Sequence, residues 1–290
     1  MPFSETRTPA RLFGRIKLVH AAIVVVVVGM VVGIALSGQE LLEISRMHAQ
    51  ISQIDGFDAA VSDFYDKYHG LPGDLLFVWA DREGLPTGDG TPSHSDGDGK
   101  ISPCNLGWQW NLGCETALFW SHLSGPGFIS ENFSADNRFT DSRLLNVGLM
   151  QPYLPQSPLS EDIYVTVWNT DAAQPSPDPQ IPYGNYYEIS RISGIAHGRM
   201  IDSSRALTPA QARALDDKID DGMPLKGRVL ANGEANWPDD AWGTFAKPGK
   251  DNCVSTRKTY NTRNFLTANA PLCHLAIALG CCSGDTQLEQ

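Results

Sequence analysis

The chain is expected to be an α+β protein: a long N-terminal helix carrying a globular head with short antiparallel strands. Three observations lead there. Apolar residues from Leu18 to Leu36 continue into a helical stripe that stops at Gly70-Leu-Pro-Gly-Asp74. Two later runs, Asp162–Trp168 and Tyr186–Ile192, alternate with period two, the signature of strands. Before and after them lie short amphipathic stretches rather than a regular strand–helix alternation, and nothing repeats at a period of 20–50 residues.

The apolar segment LVHAAIVVVVVGMVVGIAL (Leu18–Leu36) comes first. As a helix it would rise roughly 28 Å, close to the ~30 Å hydrocarbon thickness of a bilayer, which predicts a transmembrane helix over 18–38. The valines Val24–Val28 are poor helix formers in water, but lipid would force their backbone groups to bond internally. Arg7, Arg11, Arg15 and Lys17 precede the segment and Glu40 and Glu43 follow it. Residues 1–17 therefore read as a cytoplasmic basic leader, and everything beyond 38 as exported from a single-pass inner-membrane chain. The competing reading is a cleaved secretory signal, with Ala35-Leu36-Ser37 before Gly38 as the cut.

Residues 39–70 read as an amphipathic stalk. Ile44, Met47, Ile51, Ile54, Val61, Phe64 and Tyr68 recur at helical spacing, with Phe57 one step off the 58 slot. Arg46, Gln50, Asp55, Asp63 and Asp66 fall largely outside the stripe. Gly56 marks a bend or a close approach, because glycine costs about 1 kcal/mol against alanine in mid-helix. Gly70 suits the left-handed position past a helix end, and Pro72 blocks resumption. Exposed alone, such a stripe would be unsatisfied, so it must lie on its own head or on a neighbouring copy.

Residues 71–290 are the exported head. Glu115–Leu123 predicts a short helix, and Thr208-Pro209 opens another that closes at Asp221-Gly222, with threonine as cap and proline in the first turn. Gln174–Pro182 is a proline-rich loop. All six cysteines follow the apolar segment, which suits an oxidising compartment. Fifteen pairings exist; the local ones, Cys104–Cys114 and Cys253–Cys273, each close a short loop and are the first expectation. Zinc is the weaker reading, because no Cys-x-x-Cys is present and Cys281-Cys282 are adjacent.

Charge narrows the function. Of 22 basic and 33 acidic side chains, the first 17 residues hold four and one, leaving 18 against 32 beyond them. Such a surface repels nucleic acid and favours cations or basic partners. Gly88–Ile101 (GDGTPSHSDGDGKI) is the sharpest chemical feature, because glycine turns that aim carboxylates inward suit calcium. Asp96, Asp98, Gly99 and Ile101 match the middle of an EF-hand loop, but His94 and Asn105 stand at its ends. Asp89 and Glu115 would supply further oxygens. The alternative is a solvated acidic turn. Asp216, Asp217, Asp220 and Asp221 form a second acidic group near a helix C-terminus, which opposes the helix dipole. The seven histidines fall in no metalloprotease spacing, and neither a Gly-x-Ser-x-Gly elbow nor a phosphate loop with lysine occurs, so no enzyme is expected. Trp108, Trp110 and Trp120 read as core rather than as a sugar platform.

Three stretches carry a resemblance: VGMVVGIALSGQELL (Val28–Leu42), ISQIDGFDAAVSDFYDKYHGLPGDL (Ile51–Leu75) and ALDDKIDDGMPLKGRV (Ala214–Val229). Together they resemble the type IV pilin-like proteins, the pilins and the type II secretion pseudopilins. The resemblance implies a structural subunit that assembles into a pilus or pseudopilus by packing its N-terminal helix. Its partners would be other pilin-like subunits, an inner-membrane assembly platform and a prepilin peptidase. His20, Ile44, Met47, Ile51, Ile54, Val61 and Phe64 would be the assembly residues. Two departures stand out. Arg15 takes the place of the glycine that precedes the family's cut, with Gly14 one residue early, and His20 takes the place of the family's buried glutamate. In relatives that acid offsets the N-terminal charge of an adjacent subunit, so its loss points to a minor or tip subunit; the other reading is that His20 is simply an edge residue in a degenerate leader. The second functional reading is an anchored or secreted binding or adhesion protein that never enters a filament.

Overall fold

A computed structural model describes residues 12–87, 95–102, 114–134, 150–170, 184–196, 200–232, 248–263 and 269–280. The side chains of 12–19, 31–37, 39–40, 193–204 and 232 fall outside that description. The chain divides into two units, residues 1–46 and 47–290. The boundary lies inside the expected stalk, so the stalk from Met47 onward belongs with the head.

Helix α1 (Leu12–Tyr68) supplies the helical part of the first unit. There the side chains of His20–Met30 are exposed, among them Ile23, Val24–Val28 and Met30, as are Leu41, Leu42 and Ile44. Among the described residues, no helix is long and apolar enough to cross a membrane. The expected transmembrane helix over 18–38 and the single-pass inner-membrane placement are corrected accordingly.

In the second unit the same helix is built into the core. Ile54, Val61 and Phe64 are wholly buried, Phe57 and Ala60 nearly so, and Met47, Ile51 and Tyr68 pack against them. The stripe therefore runs through Phe57, not through position 58. Asp58 flanks it and pairs with Arg228, while its Oδ1 accepts from the Gly280 N–H at 2.8 Å. Gln50, expected outside the stripe, is fully buried and accepts from the Ser157 hydroxyl. Among the described residues Gly56 makes no close approach: a Cβ there would meet nothing within 4 Å. The left-handed residue after α1 is His69 (φ 55°), not Gly70. Its N–H donates to Tyr65 O at 2.8 Å and closes the helix.

Helices α2 (Phe77–Arg82) and α3 (Glu115–Ser124) follow. Next come β1 (Ile163–Asn169), β2 (Asn185–Ala196), β3 (Met200–Ser204), α4 (Pro209–Ile219), β4 (Val229–Asn232) and β5 (His274–Ala278). The sheet is antiparallel, ordered β1-β2-β5-β4, with β3 also pairing β2. The α+β expectation thus holds for the class. Thr208 caps α4 with a full capping box: its hydroxyl accepts from Gln211 N, and Gln211 Oε1 accepts from Thr208 N.

One sheet face meets α1 and α3 through an aromatic cluster. Phe57 lies 4.8 Å from Trp120 and 6.1 Å from Tyr187 between ring centroids, and Trp120 also meets Phe133 at 6.1 Å. Trp120 is core, as expected; Trp108 and Trp110 lie outside the described residues. The other face buries Trp168, Tyr186, Leu230 and Ala276. Every residue of β1 is buried. The Cys253–Cys273 disulfide joins positions 20 apart with Cα atoms 5.0 Å apart, the local pair expected, and such a loop closure contributes about 3 kcal/mol. Cys114 is also disulfide-bonded; Cys104, its expected partner, lies outside the described residues.

Candidate metal centre at the end of the stalk

The turn that stops α1 also builds the site. Gly73 (φ 85°) lies so close to α3 that a Cβ would stand 2.3 Å from Glu115 O, so only glycine fits. The Gly73 N–H donates to Nδ1 of His122 on the same helix at 3.0 Å. This seating brings Asp74 to the first residue of α3. Asp74, Asp96 and Glu115 each place a carboxylate oxygen within 4.8 Å of the others. Asp74 and Glu115 are buried, whereas Asp96 is exposed at the rim.

The glycine loop wraps Asp74 in amides. Its Oδ1 accepts from Gly97 N at 2.8 Å and Asp98 N at 3.2 Å, and its Oδ2 from Gly99 N at 2.7 Å. Gly97 and Gly99 hold positive φ, which turns those N–H groups inward. Asn185 at the head of β2 anchors the same loop, accepting from Ile101 N and donating to Gly99 O. Glu115 Oε2 accepts from Ser102 N at 2.7 Å. None of the three carboxylates has an ion-pair partner among the described residues.

Burial is the main cause that raises both buried acids. Asp74 is pushed up to about 7; the Gly99 and Gly97 amides pull the other way, and the charges of Asp98 and Asp96 add to the rise. Glu115 is pushed up to about 9 by burial, with Ser102 N–H opposing and Asp74 and Asp96 reinforcing. Two buried carboxylates, Asp74 and Glu115, with no countercharge among the described residues favour holding a proton or taking a cation. An all-oxygen set of hard donors suits calcium or magnesium rather than zinc. Asp74 Oδ2 and the second Glu115 oxygen retain lone pairs for such an ion.

The structure thus brings together two of the expected ligands, Asp96 and Glu115. Asp98 is turned away: it is exposed, its Oδ1 accepts from Lys100 N at 2.8 Å, and its Oδ2 lies 4.0 Å from Lys100 Nζ. Asp98 is not one of the three grouped carboxylates. Asp89 lies outside the described residues. Sequence reasoning missed Asp74 because it read as part of a helix-stop turn; the signal was an acid in that turn beside a second glycine-aspartate loop.

The second acidic group is spent locally. Asp216 accepts from Tyr260 OH at 2.8 Å and Gly222 N at 3.1 Å; burial raises its carboxyl to about 6 against the pull of these two hydrogen bonds, with the charges of Asp221 and Asp220 adding to the rise. Asp217 pairs with Arg213 and Asp221 with Lys226, each at 3.4 Å. Asp220 accepts from the Arg228 and Val229 amides. These contacts lock the α4–β4 turn, although Asp216, Asp220 and Asp221 still lie close enough to share an ion.

The expected assembly residues divide between environments. Ile54, Val61 and Phe64 are consumed by the head's own core, Met47 and Ile51 pack on it, and His20 and Ile44 remain exposed. Gly14 and Arg15, the expected processing positions, fall within α1, and their side chains lie outside the description.

Comparison with protein-family models, with characterised proteins and with solved structures finds no match.

Proposed function

We propose that the chain is a pilin-like structural subunit, a minor or tip component that enters a filament through the first part of α1. The observation that carries this reading is the contrast within one helix. From Met47 onward its apolar stripe is buried in the head, whereas Ile23, Val24–Val28, Met30, Leu41, Leu42 and Ile44 are exposed. An exposed apolar helix segment of this extent marks an interaction site. Helices of sister subunits are the cover that a repeated long-helix protein provides. Gly29 and Gly38 support this, because a Cβ at either would meet nothing within 4 Å, leaving room for a second backbone. The head's contribution would be contact, with a calcium-class cation on Asp74, Asp96 and Glu115 clamping the glycine loop to the stalk end. The test is Val26→Asp in the full chain. The substitution should abolish incorporation into filaments while leaving head stability unchanged; normal incorporation would refute the reading.

A further inference from the structure

A cavity of about 420 Å³ opens where α1 ends, between its last residues and α2. That volume falls within the range of small-molecule sites. Lys67, Tyr68 and His69 form one wall, and Trp79, Arg82 and Glu83 the other. Successive residues of a helix point about 100° apart, so three in a row reach one cavity only because the chain leaves the helix at His69. A non-glycine residue in the left-handed region is uncommon and marks a position held by its surroundings.

The chemistry of the walls is distinctive in so acidic a chain. Lys67 lies 4.8 Å from the Tyr68 ring centroid, and neither Lys67 nor Arg82 has an ion-pair partner among the described residues. Trp79 stays half exposed beside them although it is the largest apolar side chain type. Two unpaired cations select an anion, the indole offers a flat apolar platform, and Glu83 would accept hydrogen bonds from hydroxyl groups. We propose that this cavity binds an acidic carbohydrate, a uronate-type sugar: its carboxylate between Lys67 and Arg82, one ring face on Trp79 and a hydroxyl on Glu83. An acidic peptide fits less well, because both walls are helical and no strand edge lines the cavity to pair an extended chain. The proposal stands independently of filament assembly.

The test is titration of the full-length chain, in a non-ionic detergent, with trigalacturonate. Neutral galactose trimers and triglutamate serve as controls. Trigalacturonate should bind at least tenfold more tightly than either control, and its binding should weaken as salt rises. Arg82→Ala and Trp79→Ala should each weaken binding at least tenfold. His69→Gly relieves the left-handed strain, so it should fold at least as well as the parent yet bind several-fold more weakly. No binding at millimolar sugar, equal binding of the neutral trimer, equal binding of triglutamate, or unchanged binding by the Arg82 and Trp79 variants would each overturn the proposal.

Discussion

Gly73 and His122 fix one another: the glycine N–H donates to Nδ1 at 3.0 Å, and Nε2 lies 2.7 Å from Pro86 O, so the ring is neutral with its proton on Nε2. Burial pushes the imidazole down to about 4, only partly offset by Pro86. The unfolded chain, near 6.5, therefore takes up the proton first. Stability is complete above pH 6.5 and falls as pH drops towards 4, by on the order of 3 kcal/mol. His122→Asn offers an acceptor and a donor without titrating. Urea unfolding at pH 7 and pH 5 should show a smaller acid loss in that variant, and an identical loss would show that His122 does not titrate on unfolding.

The carboxylates of Asp74 and Glu115 act in the opposite sense. Their folded values, about 7 and about 9, lie above the unfolded ones, so without a cation stability is present at pH 4 and is lost as pH rises through 7 to 9. Calcium should restore it at pH 8, by about 3 kcal/mol at a hundredfold excess over Kd, and do little at pH 5. Thermal melts with calcium and with chelator at both pH values would check this. Asp74→Asn with Glu115→Gln should lose the response while tolerating chelator. A melt indifferent to millimolar calcium at pH 8 would remove the cation from the account.

Asp58 ties the stalk to the far edge of the sheet. It pairs with Arg228, whose Nε donates to Ala278 O at 3.0 Å, and it accepts from Gly280 N. Asp58→Ala strands a half-buried guanidinium and an amide, and should cost about 2–3 kcal/mol in chemical denaturation. A loss below about 0.5 kcal/mol would mean that the pair is only a surface contact.

Gly56 is helical, exposed and unopposed. Gly56→Ala should therefore stabilise the head by about 1 kcal/mol in urea unfolding. If filament formation fell in that variant while stability rose, the glycine would be serving close approach of another copy.

What sequence could and could not reveal follows from the range of each interaction. The stop of α1, the cap of α4, the alternation of β1 and β2 and the Cys253–Cys273 loop all depend on neighbours a few residues away, or on patterns written along one element. Strands β4 and β5 hold four and five residues and exist through pairing with each other and with β2, so no local pattern announced them. The stripe was legible, but its register was not settled at Phe57, because a heptad count and a 3.6-residue helix diverge there. The carboxylate centre joins residues up to 41 positions apart, from Asp74 to Glu115, through the contact of Gly73 with α3. Only the packed structure shows that the turn acid and the loop acids share one place. The apolar segment invited a bilayer reading from hydropathy, whereas the described helix lacks the apolar length for one.

The central claim is that sister copies cover the exposed valines of α1. A photoreactive amino acid in place of Val27, activated in assembled protein and mapped by mass spectrometry, tests it most directly. The account predicts covalent links from position 27 to residues 20–45 of another copy. Links confined to the chain's own head, or none to any copy of this chain, would contradict it.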